Sequence, residues 1–350
     1  MSKGTVCAAI SCVLLCCGSP ALAQGAAADF YKGRTIDLIV STGVGGGQDS
    51  NARLVARHWT RHIPGAPAIV AKNMPGAGHL RAANFIANQA PKDGTVVGSI
   101  VPAFLLAQVL QRSKGIQFNA SEFNWIGASA SNNSTFYVWN SSPVKTIQDA
   151  MRHETVMGAT GAGSYTMIYP AIMNAIVGTK FKIVAGYKSA AEVNLALERG
   201  EVQGRAGNNF NSLKMENSDW LRDGKIRLIA QVGLERDPEF PEVPLMMEFG
   251  KTPEDRTLLR LFSADIAVGR PFLTAPGVPQ ERVELLRTSF MATMTDPAFL
   301  KEAKEGGIDV APVPGGRLQQ IVKEIVDTPP EVSRRAREAL AAAEAKSAGR

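Results

Sequence analysis

Residues 36–40, Ile-Asp-Leu-Ile-Val, form an apolar run. It enters Ser41-Thr42-Gly43-Val44-Gly45-Gly46-Gly47-Gln48-Asp49-Ser50, after which Ala52, Val55, Ala56, Trp59 and Ile63 recur at helical spacing. A strand that feeds a helix through three consecutive glycines narrows the possible folds. Glycine supplies backbone conformations that other residues avoid, and it leaves N–H groups uncovered at a helix start, where the helix dipole favours an anion. Asp49 or Ser50 is the natural N-cap, and Pro64-Gly65 ends the helix. The corner then recurs. A short strand over 68–71 runs into Asn73-Met74-Pro75-Gly76-Ala77-Gly78, a helix over 79–89 follows, and a strand over 95–101 completes a βαβαβ unit.

The second half repeats this grammar. Strand 135–139, helix 146–152 and strand 155–159 lead into Thr160-Gly161-Ala162-Gly163-Ser164. Helix 165–177, strand 181–185, loop Gly186-Tyr187-Lys188-Ser189, helix 190–198 and strands 202–205 and 225–232 come next. The tail reads as helices near 280–295, 297–305, 317–326 and 331–345. Such alternation predicts an α/β protein with two lobes, each a mostly parallel sheet flanked by helices. Ligands of open α/β sheets bind at the carboxyl ends of the strands. The expected division is a leader over 1–23, a first lobe from 24–126 and 231–350, and a second lobe over 127–230. The chain would cross between lobes near 125–129 and 230–233.

The leader reading rests on Lys3, an apolar run from Val6 to Cys17, and Ala21-Leu22-Ala23 as an A-x-A cleavage signal. That run is shorter than the roughly 20 residues a membrane span needs. All four cysteines lie inside it, so the chain after Ala23 has no disulfide framework, thiolate nucleophile or cysteine metal site. Leu15 and Cys16 precede Cys16 and Cys17, where lipid attachment would favour a small residue. An export signal before a cysteine-free chain suits a bacterial periplasm. The formal charge of +6 favours anionic ligands in general, but no basic block interleaved with aromatics argues for nucleic acid.

Catalytic chemistry finds little support. Gly43-Val44-Gly45-Gly46-Gly47-Gln48 nearly matches G-x-G-x-x-G, yet Gln48 fills the last place, and no P-loop occurs. No cofactor is expected. His58 and His62 stand at i, i+4, but Trp59 replaces the glutamate of a zincin, so they read as solvated neighbours. The pair Glu302/Glu305 reads as a solvated helix face. No G-x-S-x-G elbow is present, and no general acid and base assemble. Ser164 at a helix start reads as a cap or an anion ligand. What remains is anion binding by backbone amides, helped by the hydroxyls of Thr42, Thr160 and Ser164. Asp49 is either an N-cap or an acceptor for a ligand's ammonium or hydroxyl. Tyr187 and Lys188 read equally as ligand contacts or as surface.

At this point the sequence resembles the periplasmic solute-binding receptors of tripartite tricarboxylate transporters, the Bug-type receptors. The family's V-P-F-x-P-G-G-G-x-D is similar to Val40 through Asp49, and its N-x-P-G-A-G to Asn73 through Gly78. A-P-x-D-G-x-T resembles Ala90 through Thr95, G-x-G-S resembles Gly161 through Ser164, and Y-K-G-x resembles Tyr187-Lys188-Ser189. G-E-V is Gly200-Glu201-Val202, R-x-P-x-x-P-D-V-P resembles Arg236 through Pro244, and A-P-x-G-x-P is Ala275 through Pro279. The ordered set covers nearly the whole chain after the leader.

The resemblance implies a two-lobe type II periplasmic binding protein, a Venus-flytrap, that is no enzyme. It would close on a small carboxylate, deliver it to the membrane permease subunits of a tripartite transporter, and act as a monomer without metal. It implies a ligand site formed by Thr42, Gly45, Gly46, Gly47, Gln48 and Asp49 with Pro75, Gly76, Ala77 and Gly78. The facing side would comprise Thr160, Gly161, Gly163, Ser164, Tyr187 and Lys188. Four departures stand out: Thr42 replaces an aromatic, Gln48 a threonine, Gln203 an acid, and residues 204–210 an F-D-S-type stretch. In that stretch Asn208 is positioned to hydrogen-bond the ligand and Phe210 to wall the pocket. Two alternatives to transport are a sensor subunit feeding a membrane kinase and a hydrolase of unfamiliar site.

Overall fold

A computed structural model describes residues 29–45, 47–110, 114–131, 133–160 and 164–348. The leader and the site glycines Gly46, Gly161 and Gly163 lie outside the described residues. In chain order the elements begin with β1 (Thr35–Val40), α1 (Gly47–Trp59), β2 (Ala68–Asn73), α2 (Leu80–Asn88), β3 (Val96–Ser99), α3 (Ala103–Val109) and β4 (Asn124–Ala128). They continue with β5 (Ser134–Trp139), α4 (Ile147–Arg152), β6 (Thr155–Ala159), α5 (Tyr165–Ile172), β7 (Phe181–Ala185), α6 (Ala190–Glu198), β8 (Gly204–Asn209), α7 (Phe210–Glu216), α8 (Ser218–Arg222) and β9 (Ile226–Val232). The last are α9 (Pro253–Val268), β10 (Pro271–Thr274), α10 (Gln280–Met294), α11 (Pro297–Glu305), β11 (Val313–Pro314), α12 (Gly315–Val326) and α13 (Pro330–Ala348).

Two mixed sheets result. The first has the order β11-β4-β10-β3-β1-β2 and the second β7-β6-β8-β5-β9. In the first, β1 is parallel to β2 and β3, while β10 is antiparallel to both β3 and β4. In the second, β6 is parallel to β7 and β8, while β5 is antiparallel to β8 and β9. Each sheet with its helices is one lobe.

Helices on both faces bury β1 toward its carboxyl end: Ile36, Leu38 and Val40 on one face are fully buried and Ile39 on the other is 3% exposed, while Asp37 near its start stays half-exposed and pairs with Lys72. Helix α1 is fixed to the sheet by Trp59, which meets Phe272 and Phe290 edge-on at 5.9 and 5.4 Å. Its indole donates to Ser289 Oγ at 2.9 Å, so the ring buries no unpaired polar atom. Helix α9 opens with a reciprocal cap in which Asp255 N–H donates to Thr252 Oγ1 and Thr252 N–H to Asp255 Oδ2. The closing helix α13 packs against both α9 and α5, and so touches both lobes.

The polypeptide passes from β4 to β5 through a short link. Ser129 Oγ donates to Asn51 Oδ1 at one end, and Asn133 O accepts the N–H of Phe210 at the other. Four residues of extended chain span at most about 14 Å. The first turns of α1 and α7 are therefore held near one another across the gap between lobes.

Candidate functional site

The first glycine corner closes on itself. Gly45 has φ +87°, and its N–H donates to Asp49 Oδ2 at 2.9 Å. Arg53 Nε donates to both oxygens of the same carboxylate at 3.0 Å, and Asn73 Nδ2 donates to Oδ1 at 2.8 Å. Asn73 in turn accepts from Arg53 at 2.7 Å and donates to Thr42 O at 2.9 Å. Burial would raise the Asp49 carboxyl, but these hydrogen bonds outweigh it and hold it below the usual carboxylate range. Helix α1 begins at Gly47, so Asp49 is not the N-cap; it lies inside the first turn and fastens the loop. Gly45 thus spends its amide internally. The amides of Gly47 and Gln48, at the opening of α1, donate to no described acceptor.

Around this knot, Gln48 Nε2 donates to Ser99 Oγ at 2.8 Å, and Ser41 Oγ accepts from Val101 N–H at 3.0 Å. Thr42 Oγ1 is buried without a partner among the described residues. The second loop turns through four consecutive residues of positive φ: Gly76, Ala77, Gly78 and His79 have φ of 129°, 48°, 61° and 74°. Ala77 and His79 each cost roughly 1–2 kcal/mol there. His79 Nδ1 lies 3.1 Å from Ser41 O, which ties this turn to the first loop. Pro75, Gly76, Ala77 and Gly78 are exposed.

The facing corner is built on hydroxyls. Thr166 Oγ1 accepts from Thr160 N–H at 3.0 Å and lies 2.7 Å from Ser164 Oγ and 3.3 Å from Thr160 Oγ1. Sequence reasoning missed Thr166. The signal was a third hydroxyl two residues after Ser164, at the second residue of the helix. Helix α5 can sit this close to β8 because of Gly207, at φ +77°, which forms a bulge against β5. A Cβ there would stand 2.7 Å from Thr166 N. Asn208 follows, 4% exposed; its carbonyl accepts from Thr135 Oγ1 at 2.8 Å, while its Nδ2 has no partner among the described residues.

Other expected residues take different places. Phe210 is buried and stacks on Phe240 at 4.5 Å, so it backs the α7 start. Tyr187 is half-buried against the cluster of Tyr137 and Trp220; its hydroxyl is raised by burial and then by Glu201. Lys188 is exposed, and its backbone N–H donates to Glu192.

Two further groups lie between the lobes. Tyr165, first residue of α5, donates to Asp265 Oδ2 of α9 at 2.6 Å and stacks on Tyr169. Burial pushes the Asp265 carboxyl up to about 6, against the hydrogen bonds from Tyr165 and Ile266 N–H. Arg270 bonds through its backbone to Ser129 and Ala130, and its Nη2 lies 3.7 Å from where a Cβ of Gly47 would be. Sequence reasoning missed Arg270 too, because its neighbours in space are distant in the chain.

The histidine pair is not solvated. His58 Nε2 lies 2.5 Å from Glu302, which also pairs with Arg57, and His62 Nε2 lies 2.8 Å from Asp296. His58 fastens α1 to α11, and His62 fastens the turn that follows α1 to Asp296, the N-cap residue of α11. This also corrects Glu302, whose carboxylate is engaged, with the hydrogen bonds of His58 and Arg57 holding it below the ordinary range. Among the described residues no group of three or more His, Cys, Asp or Glu could hold a metal ion, and no helix is long and apolar enough to cross a membrane.

Two α/β lobes with glycine-loop corners at their strand ends define the class of periplasmic binding proteins. Residues 52–336 match the tripartite tricarboxylate transporter family receptor, and the chain belongs to that family. It is 26% identical to the UPF0065 protein in the gbd 5' region of Cupriavidus necator, over 69% of this chain and 72% of that one. A solute-binding protein of the same family from Polaromonas, solved without ligand, superposes with a TM-score of 0.68 at 18% identity, covering 89% of this chain and 99% of the other. A Rhodopseudomonas palustris protein solved with adipate has a TM-score of 0.54 at 23% identity, covering 87% and 97%. Proteins of this family are non-enzymatic solute-binding receptors that act in the periplasm.

Proposed function

We propose that this receptor captures a small carboxylate between its lobes and hands it to the membrane permease subunits of a tripartite transporter. The observation that carries the reading is that, of six buried side-chain polar atoms without a partner among the described residues, Thr42 Oγ1 and Asn208 Nδ2 are the two at the carboxyl end of a strand beside a helix-opening corner, one per lobe. An orphaned buried polar atom costs about 1–3 kcal/mol, so a recurrent ligand is the economical partner. Asn208 Nδ2 can only donate, which fits an acceptor such as a carboxylate oxygen. The amides of Gly47 and Gln48 supply further donors, with the site glycines Gly46, Gly161 and Gly163 assigned here on the family pattern. Relatives solved with malate and with adipate support the ligand class.

The lobes on this reading comprise 24–126 with 231–350, and 127–230, and the leader is removed near Ala23 in a protein that works as a periplasmic monomer. The test is a thermal-shift screen of residues 24–350 against mono-, di- and tricarboxylates and their amides. A true ligand at about 100 times its Kd raises stability by roughly 2.7 kcal/mol. A shift restricted to one class of acid is the expected result. Cooperative melting with no shift from any acid would remove the proposal.

A further inference from the structure

Resting on that reading of the cleft, we infer that Arg270 is the residue that selects an anion: its guanidinium takes the ligand's carboxylate over the opening of α1. The placement is specific. Arg270 leaves α9 after Gly269 and enters β10, with its backbone bonded to the β4–β5 link at Ser129 and Ala130. Its Nη2 lies over Gly47, whose amide is one of those left open by the first corner. The guanidinium is half-buried, yet it makes no side-chain hydrogen bond and no ion pair within 4.0 Å with any described residue. A planar group with five N–H donors does not sit withdrawn from water without acceptors at no cost.

The nearest acid is Asp309, in the approach to β11. It lies close enough for each charge to be felt by the other, but outside ion-pair distance, and it accepts instead from Asn211 in α7. Lys214 on α7 also faces Asp309, and is itself paired with Glu239 at 2.6 Å. Arg270 is therefore poised between the start of α1 in one lobe and the start of α7 in the other. A carboxylate arriving there would gain a bidentate partner that no described acid now occupies.

The test is calorimetric titration of wild type, Arg270→Gln, Arg270→Lys and Asp309→Asn with malate, adipate, benzoate and neutral malamide, beside melting curves without ligand. Expected are an acid affinity at least 30-fold weaker in Arg270→Gln and a partial loss in Arg270→Lys. Asp309→Asn should bind acids at least as tightly as wild type. Unliganded Arg270→Gln should melt no lower than wild type, since an unpaired cation has been removed. Wild type binding an acid with Arg270→Gln within threefold of it would overturn the inference and leave the receptor reading standing. A marked fall in the unliganded melting temperature of Arg270→Gln would also overturn it, by making Arg270 a structural residue. If wild type bound none of the acids, the reading beneath would fail, and this inference with it.

Discussion

The two glycine corners look alike in sequence and are held by different physics. The first is an electrostatic knot: one buried carboxylate, Asp49, gathers Gly45 N–H, Arg53 and Asn73, and so welds loop to helix and to β2. The second has no charge at its centre. Thr160, Ser164 and Thr166 share hydroxyl contacts, and the close approach of α5 to β8 depends on the missing side chain of Gly207. One corner is preformed by charge, the other by fit. On the proposed function, closure on a ligand would ask little of the first lobe. It would ask the second to keep a tight backbone contact while its helix stays tied to Asp265 in α9.

The strongest way to break this contrast is Gly207→Val. The residue stands at φ +77°, and its Cβ would meet the backbone of Tyr165 and Thr166 at 2.7 Å. Left-handed backbone costs roughly 1–2 kcal/mol, and neither colliding atom can swing aside. The expected loss is about 4 kcal/mol or more in denaturant unfolding, with binding abolished. Wild-type stability in Gly207→Ala would show that fit does not hold this corner.

Next comes the tie between lobes. Asp265 is 2% exposed and its carboxyl is pushed up to about 6, above its ordinary value. The folded protein then binds a proton that the unfolded chain has released between about pH 4 and 6, so stability falls as pH rises through that window. Asp265→Asn should stabilise by on the order of 2–3 kcal/mol at pH 7.5. The gain should shrink as pH falls below 6 and vanish near pH 4. A gain independent of pH would mean that the Asp265 carboxyl has the same pKa in the folded and the unfolded protein.

The first corner is probed by Asp49→Ala. It frees Gly45, and leaves Arg53 and Asn73 short of an acceptor; a cost of about 2 kcal/mol follows for charge-assisted bonds to a partly exposed arginine. The sign with pH is opposite to that of Asp265. A depressed carboxylate stabilises above its unfolded pKa of about 4 and loses that contribution as pH falls. The difference between wild type and Asp49→Ala should therefore narrow on acidification, as read by chemical denaturation at pH 7 and pH 3.5.

How much of this was legible follows from which forces are local. The β1–α1 corner was readable because apolar run, glycines and helical spacing are adjacent in the chain. Helix α9 carried a cap signature, Thr252-Pro253-Glu254-Asp255, followed by Leu258, Leu259, Leu261 and Phe262, that pattern reading passed over. Strand β10 pairs with β3 and β4 from far down the chain, and its four residues give no period to detect. The same distance hid Arg270. Gln203 stood out as a departure; its Oε1 accepts Val156 N–H at 2.9 Å and extends the pairing of β6. Asp49 was readable as a special residue, while its role required knowing where Asn73 and Arg53 go.

The smallest effect on stability separates architecture from function in the first corner. Gly47 does not need glycine for its backbone, and a Cβ there would meet only Arg270 Nη2, at an ordinary 3.7 Å. Gly47→Ala should change stability by less than about 1 kcal/mol, in the stabilising direction because alanine loses less freedom in a helix. Yet the methyl would stand between the open amides of α1 and the guanidinium above them. If that gap holds the carboxylate, binding weakens several-fold while the melting temperature holds or rises. If affinity is unchanged, the open amides of the first corner are a by-product of how Asp49 ties the loop, and ligand recognition lies in the second lobe.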